Sequence, residues 1–340
     1  MFRQRTLFII GAGASCEVNL PAGKGPRKAI ASCLNMKFDR GQLISGSPYI
    51  ADALGQSLRR KGQSPNINAH FHAARSISNG IYQATSIDSY MDAHRGNEEI
   101  DLCGKLAIVQ SILEAERSST LFANIGAAIS HEALEDTWYA KLFQLLIEGR
   151  SKSEVSRLFE NVSFIVFNYD RCLEHFLLNA IQSYYHLHEQ EAASILRDTF
   201  IYHPYGVVGK LPWQDGGTVR FGEAAQNTAL LDVAYQIKTF TQRIDDEVEL
   251  AKMRSPVTDA HTVVFLGFAF HSQNMELLKS EKANVRRIYA SAHDISDSDV
   301  EVIQSHVLNV LSPRGYGKAE VRNQLKCTGI FREYWRSLSN

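Results

Sequence analysis

Residues 6–15 read TLFIIGAGAS, and the fold follows from how this stretch is read. Thr6–Ile10 is a short, β-favouring, mostly apolar run, and it stops at Gly11. The chain then passes directly into a glycine-rich turn and a loop holding Pro21, Gly23 and Gly25. Further apolar runs end in the same way. The run 163–167 (SFIVF) precedes Asn168-Tyr169-Asp170, and 199–202 precedes His203-Pro204-Tyr205-Gly206. Thr262–Leu266 (TVVFL) stops at Gly267, and 285–289 is a further candidate, followed by Ser291, Ala292 and His293. Helical periodicity fills the intervals: 27–33, then 87–161, where LCGKLAIVQSILEAE and WYAKLFQLLIEG place apolar residues three and four apart, then Cys172–Tyr185. Residues 39–82 are polar and rich in Gly, Ser and Asn, and read as irregular or partly helical. Strands separated by helices imply a parallel α/β sheet with crossover connections.

Composition sets wide bounds. The 340 residues suffice for one large α/β domain or two smaller ones, and 44% hydrophobic with 21% charged residues is the balance of a soluble globular chain. A formal net charge of -1 supplies no global field for nucleic acid or an anionic membrane, and the cluster Arg59, Arg60, Lys61 reads as a solvated helix end. Five cysteines, Cys16, Cys33, Cys103, Cys172 and Cys327, are scattered and never spaced CxxC, so neither a disulfide framework nor a zinc cluster is expected. Reduced thiols point to the cytoplasm. Arg3, Arg5 and the segment Ala14-Ser15-Cys16 loosely resemble a lipoprotein leader, but the apolar run is short and interrupted by glycine. No run approaches the roughly 18–20 apolar residues of a membrane span.

In a parallel sheet, the segments GAGAS, NYD, HPYG and GFAFHSQN all fall at the carboxyl edge, where loops and helix starts form a ligand crevice. Gly11 and Gly13 permit a sharp turn and close approach to a phosphate, and Ala12, Ala14 and Ser15 complete the turn, with the Ser15 hydroxyl as a donor. The full GxGxxG pattern is absent, because position 16 is Cys, and no acidic ribose reader follows a second strand, which disfavours a dehydrogenase. Asn168 and His203 bring an amide and an imidazole to strand ends. Such groups can position water and stabilise an oxocarbenium-like transition state during N-glycosidic cleavage. Each also has a plain structural reading as a turn, cap or loop residue, with Asp170 another cap candidate. Gly267 and Phe268 open a segment in which His271, Ser272 or Gln273 can meet the adenosine half of a dinucleotide. Asp88, in SIDSY, is expected to cap a helix.

GAGAS with LPAG, then FNYD, HPYG and FLGFAF, in that order, resembles the sirtuin-like family of bacterial NAD hydrolases that act in anti-phage defence. The resemblance implies a Rossmann-like parallel sheet flanked by helices, forming a single NAD-binding domain over 1–340. A helical insertion or subdomain follows the first strand over approximately 30–160. It implies NAD as the substrate, no metal, Asn168 as the water and ribose positioner, and His203 as the ribose-contacting base. It further implies NAD contacts from Gly11, Ala12, Gly13, Ala14, Ser15, Asp170, Gly267 and Phe268. A homo-oligomer or a partner defence protein would gate the activity. The chain departs from deacylating sirtuins in lacking a four-cysteine zinc module. Two residues also separate His203 from Gly206, where sirtuins have a direct His-Gly pair. Water is therefore the expected acceptor. An NAD-dependent deacylase and a non-catalytic sensor of NAD or ADP-ribose are the alternatives.

Overall fold

The computed structural model describes residues 1–23, 25–64, 66–239 and 247–339. Eight strands occur among them: β1 (Thr6–Ile10), β2 (Lys37–Asp39), β3 (Gln42–Ser45), β4 (Val162–Val166), β5 (Ile201–Tyr202), β6 (Thr262–Leu266), β7 (Arg287–Ser291) and β8 (Lys318–Arg322). Six of them form one parallel sheet in the order β5-β4-β1-β6-β7-β8, and β2 pairs with β3 as a separate antiparallel hairpin. Counted along the chain without the hairpin, the sheet order is 3-2-1-4-5-6, the doubly wound Rossmann order. The chain leaves β1 for one side of the sheet, then returns and builds the other side from β6. A crevice is thus created between the carboxyl ends of β1 and β6.

Every residue of β1 and of β6 is buried, as central strands covered on both faces require. Their side chains divide with a period of two. Phe8 and Ile10 enter one core with the helices Trp138–Ile147, Cys172–Tyr185 and Cys327–Ser339. Leu7 and Ile9 enter the opposite core with Glu247–Asp259, Ser272–Leu278 and Asp297–Leu311. Phe8 stacks between Phe164 and Phe331, with ring centroids 5.5 and 5.9 Å away. Each side chain of this size stabilises the fold by about 1.5–3 kcal/mol through burial.

A third core belongs to a helical cap. It unites the helices Gly25–Leu34, Pro48–Arg60, Asn68–Gly80, Ile87–Ala93 and Glu98–Arg117 with Val208, Val219 and the helix Leu230–Gln236. The cap therefore differs from the contiguous insertion of 30–160 in two respects. It gains a second segment from the chain after β5, and Trp138–Ile147 packs on the sheet instead. The sequence pattern reads 39–82 only as irregular or partly helical. There, the hairpin and two helices form, the first helix opened by Ser47 accepting from the Ile50 N–H with Pro48 in its first turn. The last strand, β8, gives no continuous apolar signal because only alternate residues, Ala319 and Val321, are buried. Among the described residues no helix is long and apolar enough to cross a membrane.

Candidate functional site

The turn after β1 and the turn after β6 meet backbone to backbone. The Gly13 N–H donates to the Gly267 carbonyl at 2.9 Å, and the Gly11 N–H to that of Leu266 at 3.0 Å. A Cβ on Gly11 would stand 2.6 Å from the Gly267 carbonyl oxygen, and one on Gly13 would stand 2.9 Å from it. Gly267 has a φ of +57°, and a Cβ there would lie 2.0 Å from the Ala14 nitrogen. All three glycines are thus demanded by the approach of one turn to the other. Residues Ala12–Val18 continue as a short 3-10 helix with Ala14 and Ser15 buried. Two outside anchors hold that helix. The Trp138 indole N–H donates to the Ala14 carbonyl at 2.8 Å, and the Glu17 carboxylate accepts from the Trp138 and Thr328 backbone N–H groups at 2.7 and 2.8 Å.

Asn168 follows β4 and reaches into this junction. Its amide nitrogen donates to the Gly11 carbonyl at 3.2 Å and to Ser15 Oγ at 3.2 Å. Because the Gly11 carbonyl only accepts, the side-chain orientation is determined: both amide hydrogens are engaged, and Oδ1 is left for a water or a hydroxyl. Ser15 Oγ donates onward to Asp170 Oδ2 at 2.9 Å, and Asp170 Oδ1 accepts from the Cys172 N–H at 3.2 Å, at the start of the helix Cys172–Tyr185. Burial raises the Asp170 pKa, and the bonds from Cys172 and Ser15 offset part of that rise. Asp170 consequently braces the turn and accepts from the first N–H of the helix, whose N-cap position is Arg171.

His203 lies beneath Asn168. Its Nδ1 is 3.0 Å from the Asn168 carbonyl and its Nε2 is 2.8 Å from Glu174 Oε1. The Asn168 carbonyl only accepts, so Nδ1 carries a proton, and with Glu174 ionised Nε2 donates to it and the imidazole is cationic. Burial alone would lower its pKa, but the Glu174 carboxylate outweighs burial, and the net direction is upward. Glu174 moves the opposite way. Burial would raise its pKa, and the facing imidazolium brings it below the usual carboxylate value. His203 is not among the residues lining the cleft described next.

A cleft of about 320 Å³ opens between this sheet edge and the cap. Gly11, Ala12, Ser15, Asn168 and Asp170 form part of its floor, and Phe268 and His271 come from the segment after β6. Gly13, Ala14 and Gly267 lie outside the lining, packed in the junction behind it. The aromatic residues Phe167, Tyr169, Tyr205 and Phe268 make one wall, with the Phe167 ring 5.1 Å from Phe268 and 5.9 Å from Tyr205. Arg27, Ile30, Ile87, Asp88, Ile108 and Ile112 face them from the cap.

Three lining residues escape the sequence pattern. Tyr205 is the residue directly before Gly206, and its hydroxyl donates to Asn274 Oδ1 at 2.5 Å. That adjacency is the available signal, since the motif that HPYG resembles has its histidine directly before glycine. Asp88 is expected from its position to cap a helix, yet Ser86 does so, accepting from the Ser89 N–H at 3.0 Å. The Asp88 side chain instead accepts from the Tyr169 hydroxyl at 3.0 Å, and burial pushes its pKa up to about 6. Arg27 donates to the Ala84 carbonyl at 2.7 Å, while its buried Nε finds no partner. No sequence signal marks it, because its partner is 57 residues away. Gln273 and Ser272 do not line the cleft. Among the described residues no group of three or more His, Cys, Asp or Glu side chains could hold a metal ion.

The arrangement joins a shaped, largely apolar slot to a fixed amide oxygen and a flanking carboxyl group. It can orient a flat ring and a water against each other. Comparison of the chain with known protein families and with curated proteins gives no match.

Proposed function

We propose that this chain binds NAD in the cleft at the carboxyl edge of its sheet and hydrolyses it to nicotinamide and ADP-ribose. The observation that carries this reading is the convergence of Ser15, Asn168 and Asp170 in one hydrogen-bonded chain on the floor of a slot at the topological switch point. Dinucleotides bind at that point in doubly wound sheets. The resemblance to sirtuin-like NAD hydrolases supports the same substrate and the same asparagine. In this reading, Asn168 Oδ1 orients the attacking water, and the aromatic wall receives the nicotinamide ring. As the C1′–N bond breaks, its electron pair goes to the ring nitrogen. Water adds to C1′ and releases a proton. His203 acts through Asn168, holding the backbone carbonyl of that residue from beneath, and is a positioning residue. Defence against phage, gating by an oligomer or a partner protein, and a cytoplasmic location belong to the same proposal.

The test is to incubate the purified chain with NAD and quantify nicotinamide by chromatography, with Asn168→Ala alongside. Release by the parent chain, reduced at least about 100-fold in the variant, is the expected outcome. Equal release by both chains removes Asn168 from the chemistry. One observation favours binding without cleavage: the imidazole of His203 is sealed from the slot by its own two partners. Measurable affinity for NAD with no nicotinamide released under any condition selects that sensor reading.

A further inference from the structure

We infer that Asp88 marks the end of the cleft that takes a flat, positively charged ring, the pyridinium of oxidised NAD, and distinguishes it from an uncharged ring of the same shape. This rests on the reading of the cleft as an NAD site. Arg27, Asp88 and Asp170 are the acidic and basic side chains lining the cleft, with His271 beside them on the segment after β6. Asp170 is committed to Ser15 and Cys172. Asp88 is differently placed. Its Oδ1 accepts from the Tyr169 hydroxyl at 3.0 Å, and that same hydroxyl lies 2.9 Å from the Lys238 carbonyl. A phenol has one hydrogen and here meets two acceptors, so an ionised Asp88 is incompletely supplied.

Asp88 has no ion-pair partner among the described residues. Arg27 lines the same slot, but its guanidinium is directed to the Ala84 carbonyl. Ile87, Ile108 and Ile112 line the same part of the cap, and the help the carboxyl group receives beyond Tyr169 is a backbone N–H in the first turn of its own helix, which leaves burial dominant. A carboxylate in such a wall is costly unless a cation joins it. Tyr169, in contact with Asp88, continues into an aromatic wall of Phe167, Tyr205 and Phe268, whose ring faces attract cations. A planar cation satisfies both walls at once, whereas a phosphate beside Asp88 satisfies neither. The phosphates therefore extend away from Asp88, and the charged ring lies against it.

The charge state of Asp88 should gate this preference. The titratable and charged groups sharing the cleft with it are Tyr169 and Tyr205, both with pKa values raised by burial, the Arg27 cation on the same cap side, and Asp170 and His271 on the sheet side. Neither phenol ionises in the neutral range, so among Asp88 and the two phenols the Asp88 carboxyl is the one whose charge changes as pH rises through about 6.

The experiment is calorimetric titration of NAD and of its reduced form, which carries an uncharged nicotinamide ring. Both titrations use the full chain bearing Asn168→Ala, so that turnover does not intrude, and are repeated with Asp88→Asn added. Tyr169→Phe, which keeps the carboxylate, serves as a second variant. With Asp88 present, oxidised NAD should bind about tenfold more tightly than the reduced form at pH 8. That ratio should shrink below pH 6, persist in Tyr169→Phe and fall to within about twofold in Asp88→Asn at every pH. A preference that survives Asp88→Asn, or that is absent from the parent, overturns this inference and leaves the NAD site standing. If neither dinucleotide binds, the reading of the cleft fails and the inference falls with it.

Discussion

Three side chains near the carboxyl edge, Asn168, His203 and Glu174, show how partner geometry decides what a residue can do. Asn168 and His203 are 35 positions apart and touch through a backbone carbonyl, yet one faces the cleft and the other supports it. The His203–Glu174 pair has a measurable signature. His203 has a raised folded-state pKa, so its stabilisation is present below the unfolded value of about 6.5 and is lost as pH rises through the higher folded value. Glu174 has a lowered folded-state pKa, so its contribution is present above the unfolded value of about 4.5 and is lost as pH falls through the folded one. The advantage of the parent chain over Glu174→Gln in urea denaturation should accordingly be greatest between those limits and decline toward alkaline pH. A difference that is flat from pH 5 to pH 9 would show that the pair is not ionised.

At the level of elements, two turns fix each other, and glycine is the price of their proximity. Gly267→Ala must place a Cβ 2.0 Å from the Ala14 nitrogen while holding a positive φ. A loss of about 3 kcal/mol or more is expected in chemical denaturation. Gly62→Ala is the control, because Gly62 has a φ of +66° and a Cβ placed there would meet nothing within 4 Å. Its substitution should cost only the strain of the left-handed conformation, about 1–2 kcal/mol. Equal losses at the two sites would mean that the turns can part without consequence. The junction also explains why GAGAS leads into a 3-10 helix. Ala14 and Ser15 are drawn inward by Trp138 and Asp170, and the tighter helix brings both within reach.

Across the whole molecule, one buried ion pair ties the cap to the sheet. Arg171, just after the cleft residue Asp170, pairs with Glu116 at the end of the helix Glu98–Arg117, and neither side chain is more than 1% exposed. The guanidinium also donates to the carbonyls of Gly209, Val219 and Arg220, while Glu116 accepts from the Gly222 N–H. Three separate stretches of chain therefore depend on a single charge pair. Glu116→Ala strands the Arg171 cation and should cost about 3–5 kcal/mol. Replacing both partners with apolar residues of similar volume should recover part of that loss, because the uncompensated charge is gone. If the double replacement unfolds as readily as Glu116→Ala, the lost stability resides in the backbone carbonyls that Arg171 satisfies.

Local chemistry suffices where a segment's own residues set its state. The run Thr6–Ile10 can be little other than a buried strand, and the turn residues after β1, β4 and β6 announce a common edge because parallel strands leave no other place for them. Asn168 and Ser15 are legible for that reason. What lies on the cleft surface is not, because lining a cavity depends on which distant elements pack opposite. His203 is withdrawn by a glutamate 29 residues before it, Asp88 is turned from capping by a tyrosine 81 residues after it, and Tyr205 gains the slot because the chain after β5 folds back onto the cap. Hydrophobic periodicity records which face of an element is buried, and carries no record of what buries it. That assignment belongs to long-range packing, and only the folded chain makes it.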